Sequence, residues 1–455
     1  MKIAISQIKT RTSLGTHEKH IHKNVKITGD EMRSTIQTIH AREIIDSRGN
    51  PTVEVEIGTF GGIRARAACP SGASTGAHEA VELRDNDPTR FLGKGVTHAV
   101  HNVNTIIKEL VSGMEVTDQA GIDKVLLDAD GTPNKQQLGA NAILTVSMAV
   151  ARAAAKVEKM PLWNYLGNGP YLLPVPSMNI LNGGAHANWQ GADFQEYMIA
   201  PVGADSFREA IRWGCETYQT LKRVLKEKNA SVGVGDEGGF APVVSSNEEP
   251  LELIVTAIEE AGYRPRSDIA IALDPASSEF FHDGSYLLRT EKRTLSSGEM
   301  VDLYADLAIR YPILSIEDGL SQDDWEGWKE LTKKIGSTVQ LVGDDLFVTN
   351  VHRIKKGIEL HAANAVLIKL NQIGTVTETT DAVSMAQNAG WKTMVSHRSG
   401  ETVDSFIADL TVALGTGQIK SGAPCRGERV EKYNQLMRIE EMMGSDARYA
   451  GIDAF

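Results

Sequence analysis

Five strand-like segments in the second half of the chain each end in a group that can bind a cation or move a proton. The runs IAIALD, PILSIE, VQLVGDD, AVLIK and TMVSH place Asp274, Glu317, Asp344, Lys369 and His397 at their C-terminal ends. The intervals are about 43, 27, 25 and 28 residues, the spacing of strand-helix units in a barrel. A parallel barrel gathers its C-terminal strand ends around one mouth, so the spacing predicts three carboxylates, an amine and an imidazole on one rim. A single Asp after a strand is ordinarily a helix cap. Three acids in successive units, with a lysine next in line, argue for a site. Clustered carboxylates do not all ionise comfortably without a cation among them. An all-oxygen ligand set suits Mg2+. Neither a histidine pair at i, i+4 nor a cysteine ligand set favours zinc.

Lys369 lends this cluster a reaction. A free lysine has a pKa of about 10.4 and is a poor base at neutral pH. Divalent cations and a second lysine nearby are expected to lower it. A neutral amine facing a metal-bound carboxylate can take the proton from the adjacent carbon, with Mg2+ as the Lewis acid. An acid is then needed on the opposite face. The segment VGVGDEGGF offers Asp236 and Glu237 in a glycine-rich loop, where backbone can approach a ligand closely. Gly233, Gly235 and Gly238 also fit G-x-G-x-x-G, but FAPVVSS follows instead of a helix, so a dinucleotide loop is not expected.

Three further segments carry groups for an anion. CPSGASTGAHEA is a small-residue loop whose Ser74 hydroxyl can reach a metal or an anion. SHRSGET sets His397, Arg398 and Ser399 in a row, and an arginine beside a serine in a turn is a good phosphate clamp. GQIKSGAP ends another apolar step with Lys420, a cation able to hold a carboxylate.

The elements needed to position these residues are legible in outline. DSFREAIRWGCETYQTLKRVLKEK reads as an amphipathic helix capped by Asp205 or Ser206, and SSGEMVDLYADLAIR opens on a Ser296–Glu299 capping box. Their alternation with short apolar runs predicts a parallel sheet with helices outside, closed into a barrel. Upstream, TIQTIHAREIID and TVEVEIGTF flank the turn SRGNP, and ANAILTVSMAVARAAAKVE is an Ala-rich helix. Prolines and glycines cluster between Pro161 and Pro176 and mark a domain boundary. The expected division is an N-terminal extension at 1–35, a smaller domain at 36–167 and a barrel domain at 168–455. The extension is polar and basic, with His17, His20 and His22, and is expected to be a disordered tail. Met32 offers a second start.

The net charge of −12 argues against a nucleic-acid surface and does not favour an anionic membrane. Three scattered cysteines suggest a reducing cytosol and no disulfide framework. No run of about 18 apolar residues is read, so no membrane insertion is expected, and the N-terminus lacks a signal-peptide core.

Taken in order, AREIIDSRGNPTVEVE, PSGASTGAHEA, NGGAHA, FQEYMIAP, GDEGGFAP, LDPASSEF, SIEDGL, GDDLFVTN, LIKLNQIGT, SHRSGET and GQIKSGAP closely resemble the enolase (phosphopyruvate hydratase) family, from about Ala41 to about Gly451. The resemblance implies a smaller N-terminal α+β domain and a C-terminal modified TIM-type (β/α)8 barrel. It implies Mg2+-dependent, reversible dehydration of 2-phospho-D-glycerate to phosphoenolpyruvate in glycolysis and gluconeogenesis. Carried over by motif, Asp274, Glu317 and Asp344 would ligate one Mg2+, and Ser74 a second that binds with substrate, two per active site. Lys369 would be the base at C2 and Glu237 the acid that assists loss of the 3-hydroxyl, with Glu196 in support. Arg398 and Ser399 would hold the phosphate and Lys420 the carboxylate. His186, Gln195 and His397 would line the site. The family also implies a homodimer or an octamer of dimers, in the cytoplasm. Ala185 and Trp189 depart from the usual pattern of their loop but replace no chemical group. Alternatives are another acid dehydratase of the superfamily, or a surface-displayed or secreted plasminogen-type binding role. The ending GIDAF lacks the C-terminal lysine that such binding often uses.

Overall fold

Asp46 folds the first turn. Its Oδ1 accepts from the backbone N–H groups of Arg48 and Asn50, both at 2.8 Å. Gly49 takes a positive φ of 78°, which costs glycine little. The turn joins β1 (Ile36–Ile45) and β2 (Pro51–Thr59) as an antiparallel hairpin, and β3 (Arg64–Ala68) completes a three-stranded sheet. The computed structural model describes residues 33–72 and 76–455; His17, His20, His22, Met32 and Ser74 lie outside the described residues.

The helix Ala140–Val157 packs against β2 and β3. By length and hydropathy it is apolar enough to cross a membrane, which corrects the expectation that no such stretch exists, but 83% of it is buried within the protein. Its small side chains let the sheet and the barrel's helices approach it closely. Arg152 on this helix donates to both carboxylate oxygens of Asp404, at 2.5 and 2.7 Å, and so ties it to the barrel.

The barrel strands are β4 (Val175–Asn182), β5 (Glu196–Ala200), β6 (Ala270–Asp274), and, after a small sheet of β7 (Phe281–His282), β8 (Ser285–Leu288) and β9 (Arg293–Leu295), the series β10 (Ile313–Glu317), β11 (Gln340–Gly343), β12 (Ala365–Ile368), β13 (Lys392–Ser396) and β14 (Gln418–Lys420). Eight of them close in the order β10, β11, β12, β13, β14, β4, β5, β6. Ser206 caps the helix Phe207–Glu227, and the Ser296–Glu299 capping box is formed, as the residue types predict. One strand breaks the predicted parallel pattern: β5 runs antiparallel to both neighbours. The β4–β5 connection, residues 183–195, holds only the short 3-10 turn Gly184–Ala187, and a parallel return is usually made by a helix. The chain therefore doubles back.

At the opposite end of the barrel, the amides of Gln340 and Gln418 bond to each other at 2.7 and 2.9 Å, and Gln418 Nε2 holds the Ala454 carbonyl at 2.7 Å. The last residues of the chain thus seal the barrel floor.

Candidate active site

Reversal of β5 brings its first residue, Glu196, to the mouth formed by the C-terminal ends of the other strands. There Lys420, the last residue of β14, is buried among three carboxylates. Its Nζ lies 2.8 Å from Asp274 Oδ2, 2.8 Å from Glu317 Oε1 and 3.1 Å from Glu196 Oε2. Burial alone would lower the Lys420 pKa; these carboxylates outweigh it and hold the group well above its usual value, as an ammonium.

Lys369 follows β12 and pairs with Asp344, whose other oxygen accepts from Gln372 at 2.8 Å. Burial, Arg398 and Lys420 push the Lys369 pKa down, but the Asp344 carboxylate overrides them and the net displacement is upward. Lys420 acts downward, as expected of a second lysine; the further lowering expected from divalent cations concerns the metal-bound site. Of the three expected metal ligands, Asp274 and Glu317 meet on Lys420 and Asp344 pairs with Lys369. Carboxylate-rich donors nonetheless fit a hard divalent cation, and Glu317 Oε2 is buried without a hydrogen-bond partner among the described residues. Burial first, then the Asp274 charge, raises the Glu317 pKa well above the usual range, the sign of carboxylates crowded beyond what the lysines neutralise.

Across the pocket, His186, Glu196 and Glu237 present ligand-type atoms within 4.8 Å of one another. Asn179 Nδ2 donates to Glu237 Oε2 at 3.1 Å, and His397 Nε2 lies 3.3 Å from the same oxygen. The two glutamates are driven apart. Burial and the Glu237 charge raise Glu196 well above the usual range. Burial works in the same sense on Glu237, but the neighbouring His397, His186 and Arg429 prevail and hold it well below. Of the two, Glu196 therefore holds a proton more readily than Glu237. Burial lowers the pKa of His186 and takes that of His397 down to about 4, so both rings are neutral.

Arg398 is buried, not a surface salt-bridge residue. It donates to Glu79 at 2.9 and 3.2 Å and to Asn371 at 2.9 Å. Ser399 and Gln195 line the same pocket. The glycines of GDEGGF serve protein packing: a Cβ on Gly235 would meet Asn182 Nδ2 at 2.1 Å, and one on Gly239 would meet Asn182 Oδ1 at 2.7 Å. No helix follows until Glu249, as the reading against a nucleotide loop requires. Trp189, the bulky departure in the preceding loop, lies under the Arg289 guanidinium, 4.4 Å from ring centroid to Cζ.

Sequence reasoning missed several groups. Asp318 accepts from the backbone N–H groups of Asp344 and Asp345, each at 2.8 Å, and so stitches the ends of β10 and β11 together. Asp345 itself is pushed up to about 7 by burial and by Asp344. The doubled acids in SIEDGL and GDD were the available signal. Glu79 carried a weaker one, as the acid that ends the small-residue loop. Arg429 lies on an outer helix and had none.

Residues 36–166 match the family description "Enolase, N-terminal domain", and residues 170–455 match "Enolase, C-terminal TIM barrel domain". The chain is 68% identical over 416 residues to Enolase 1 of Methanospirillum hungatei, covering 91% of this chain and 97% of that protein. It is 62% identical over 425 residues to Enolase 2 of Pseudomonas syringae pv. tomato, covering 93% of this chain and 100% of that protein. The chain belongs to the enolase family, and its reaction is the Mg2+-dependent, reversible dehydration of 2-phospho-D-glycerate to phosphoenolpyruvate in glycolysis.

Proposed function

We propose that the reaction is divided between the two sides of the barrel mouth. The observation that carries this reading is that one pocket is lined both by Lys369, paired with Asp344, and by Glu237, beside His186 and His397, with Lys420 bridging Glu196, Asp274 and Glu317. Lys369 Nζ removes the C2 proton of 2-phosphoglycerate, and the charge that develops on the substrate carboxylate is met by the Lys420 ammonium. Glu237 delivers a proton to the departing 3-hydroxyl, which leaves as water, and draws that proton from Glu196. Arg398 and Ser399 hold the phosphate; Gln195, His186 and His397 shape the wall.

Asp274, Glu317 and Asp344 would hold a Mg2+ ion, which would supply Lewis-acid stabilisation of the substrate carboxylate and offset the Asp344 charge that otherwise favours the Lys369 ammonium. The second ion, entering with substrate, is assigned to Ser74. The chain is read as a cytoplasmic homo-oligomer, a homodimer or an octamer of dimers, divided at about residue 167 into its two domains.

The test is optical. The conjugated enol phosphate should appear in the ultraviolet when 2-phosphoglycerate and Mg2+ are added, and the signal should vanish with chelator. Silence from folded, metal-loaded protein would sink the assignment of these roles.

A further inference from the structure

Arg429 is fully buried, at 0% exposure, yet it belongs to the helix Gly427–Met443 in the outer layer of the barrel. Its guanidinium reaches the backs of two loops of the site. Nη1 bonds to His397 Nδ1 at 2.6 Å and donates to the Arg398 carbonyl at 2.5 Å. Nη2 donates to the Ser399 carbonyl at 2.6 Å and to the Asp236 carbonyl at 3.1 Å. One side chain therefore spans the loop that carries the phosphate clamp and the loop that carries the acid.

The contact with His397 determines more than position. A guanidinium has N–H donors and no acceptor, so His397 Nδ1 must offer its lone pair. A neutral imidazole carries one proton, which then resides on Nε2. That nitrogen is buried, makes no hydrogen bond of good geometry among the described residues, and has Glu237 Oε2 as a neighbour at 3.3 Å. The alternative tautomer would set an Nδ1 proton against the guanidinium donors and a bare lone pair against a carboxylate, both repulsive. The clamp loop has a second brace that does not use Arg429. The Arg398 N–H donates to Glu401 Oε1 at 3.1 Å, and Lys432 Nζ donates to Glu401 Oε2 at 2.8 Å. Loss of Arg429 thus falls more heavily on His397 and Glu237 than on Arg398.

We infer that Arg429 is a positioning residue of this reaction: from outside the pocket it holds His397 in the Nε2–H tautomer turned toward Glu237, and keeps the acid loop in register with the phosphate-clamp loop. The inference rests on the reading of Glu237 as the acid. Lysine is not equivalent here, because a point donor cannot span both loops as the planar fork does.

The experiment uses the full chain with 15N-labelled histidine, His397 being assigned by the resonances that His397→Gln removes. Wild-type protein should show a neutral His397 ring protonated on Nε2; a proton on Nδ1, or a charged ring, overturns the inference. Arg429→Gln should mix the tautomers and lower kcat about 100-fold while KM for 2-phosphoglycerate changes less than about threefold, the pattern of a misaligned catalytic group. Arg429→Lys should fall between the two. Folded Arg429→Gln with wild-type kcat and a single Nε2–H tautomer overturns the inference. If that variant does not fold, the wild-type tautomer and the kcat of Arg429→Lys decide. Glu237→Gln separates the two readings: wild-type dehydration by it removes the acid assignment itself, whereas an inactive Glu237→Gln beside an active Arg429→Gln removes only the role of Arg429.

Discussion

Glu196, the first residue of β5, stands directly opposite Asp274, the last residue of β6, in an antiparallel register. In a wholly parallel barrel the first residue of a strand lies at the floor, away from the chemistry. Reversal of one strand brings an N-terminal residue to the catalytic mouth. It also explains the electrostatics there. Glu196, Asp274 and Glu317 come from three adjacent strands and would repel strongly without the single ammonium of Lys420 among them.

That arrangement makes Lys420 a structural cation as well as a substrate-facing one. Lys420→Met keeps much of the side-chain volume and leaves three buried carboxylates without their cation. Removing one partner of a buried charge cluster costs about 3–5 kcal/mol. Urea unfolding in the presence of chelator should show a loss of that order, and added Mg2+ should recover part of it. Unchanged stability would mean that the acids take up protons without cost.

Lys369→Ala tests the base directly. Exchange of the C2 proton of 2-phosphoglycerate with deuterated solvent, followed by NMR, should cease. Mg2+ binding measured by calorimetry should persist, since Asp274, Glu317 and Asp344 all remain. Exchange at the wild-type rate would place the base elsewhere.

Asp409 gives a pH prediction away from the site. Burial pushes its carboxyl up to about 6, against the opposing influence of Arg152 and of Gln435, whose Nε2 lies 3.1 and 3.3 Å from the two oxygens. The folded protein therefore holds this proton more tightly than the unfolded chain, whose Asp pKa is about 3.9. The protonated group favours folding below about pH 4, and that contribution is lost as pH rises through 6. Asp409→Asn removes the titration. At pH 7 it should be more stable than wild type by about 2 kcal/mol, with the gap closing toward pH 4. Paired urea titrations at the two pH values check this, and a gap that widens on acidification would contradict it.

The sequence alone determined which ionisable residues stand at the ends of the parallel strands, because there both signals are local. Each strand is a short apolar run, its functional residue comes directly after, and the unit length repeats, so Asp274, Glu317, Asp344, Lys369 and His397 could be assigned to one rim. The hairpin around Asp46 and the caps at Ser206 and Ser296 were legible for the same reason. Glu196 and His186 were assigned only by family resemblance, since nothing local announces that β5 turns back. Tertiary structure alone decided partners separated by tens to hundreds of residues: Glu79 with Arg398, Arg429 with His397, and Lys420 with Asp274. It also decided the direction in which the buried groups' pKa values move. Lys369 and the Glu196–Glu237 pair take their protonation from burial and from neighbours on other strands, and those exist only once the barrel has closed.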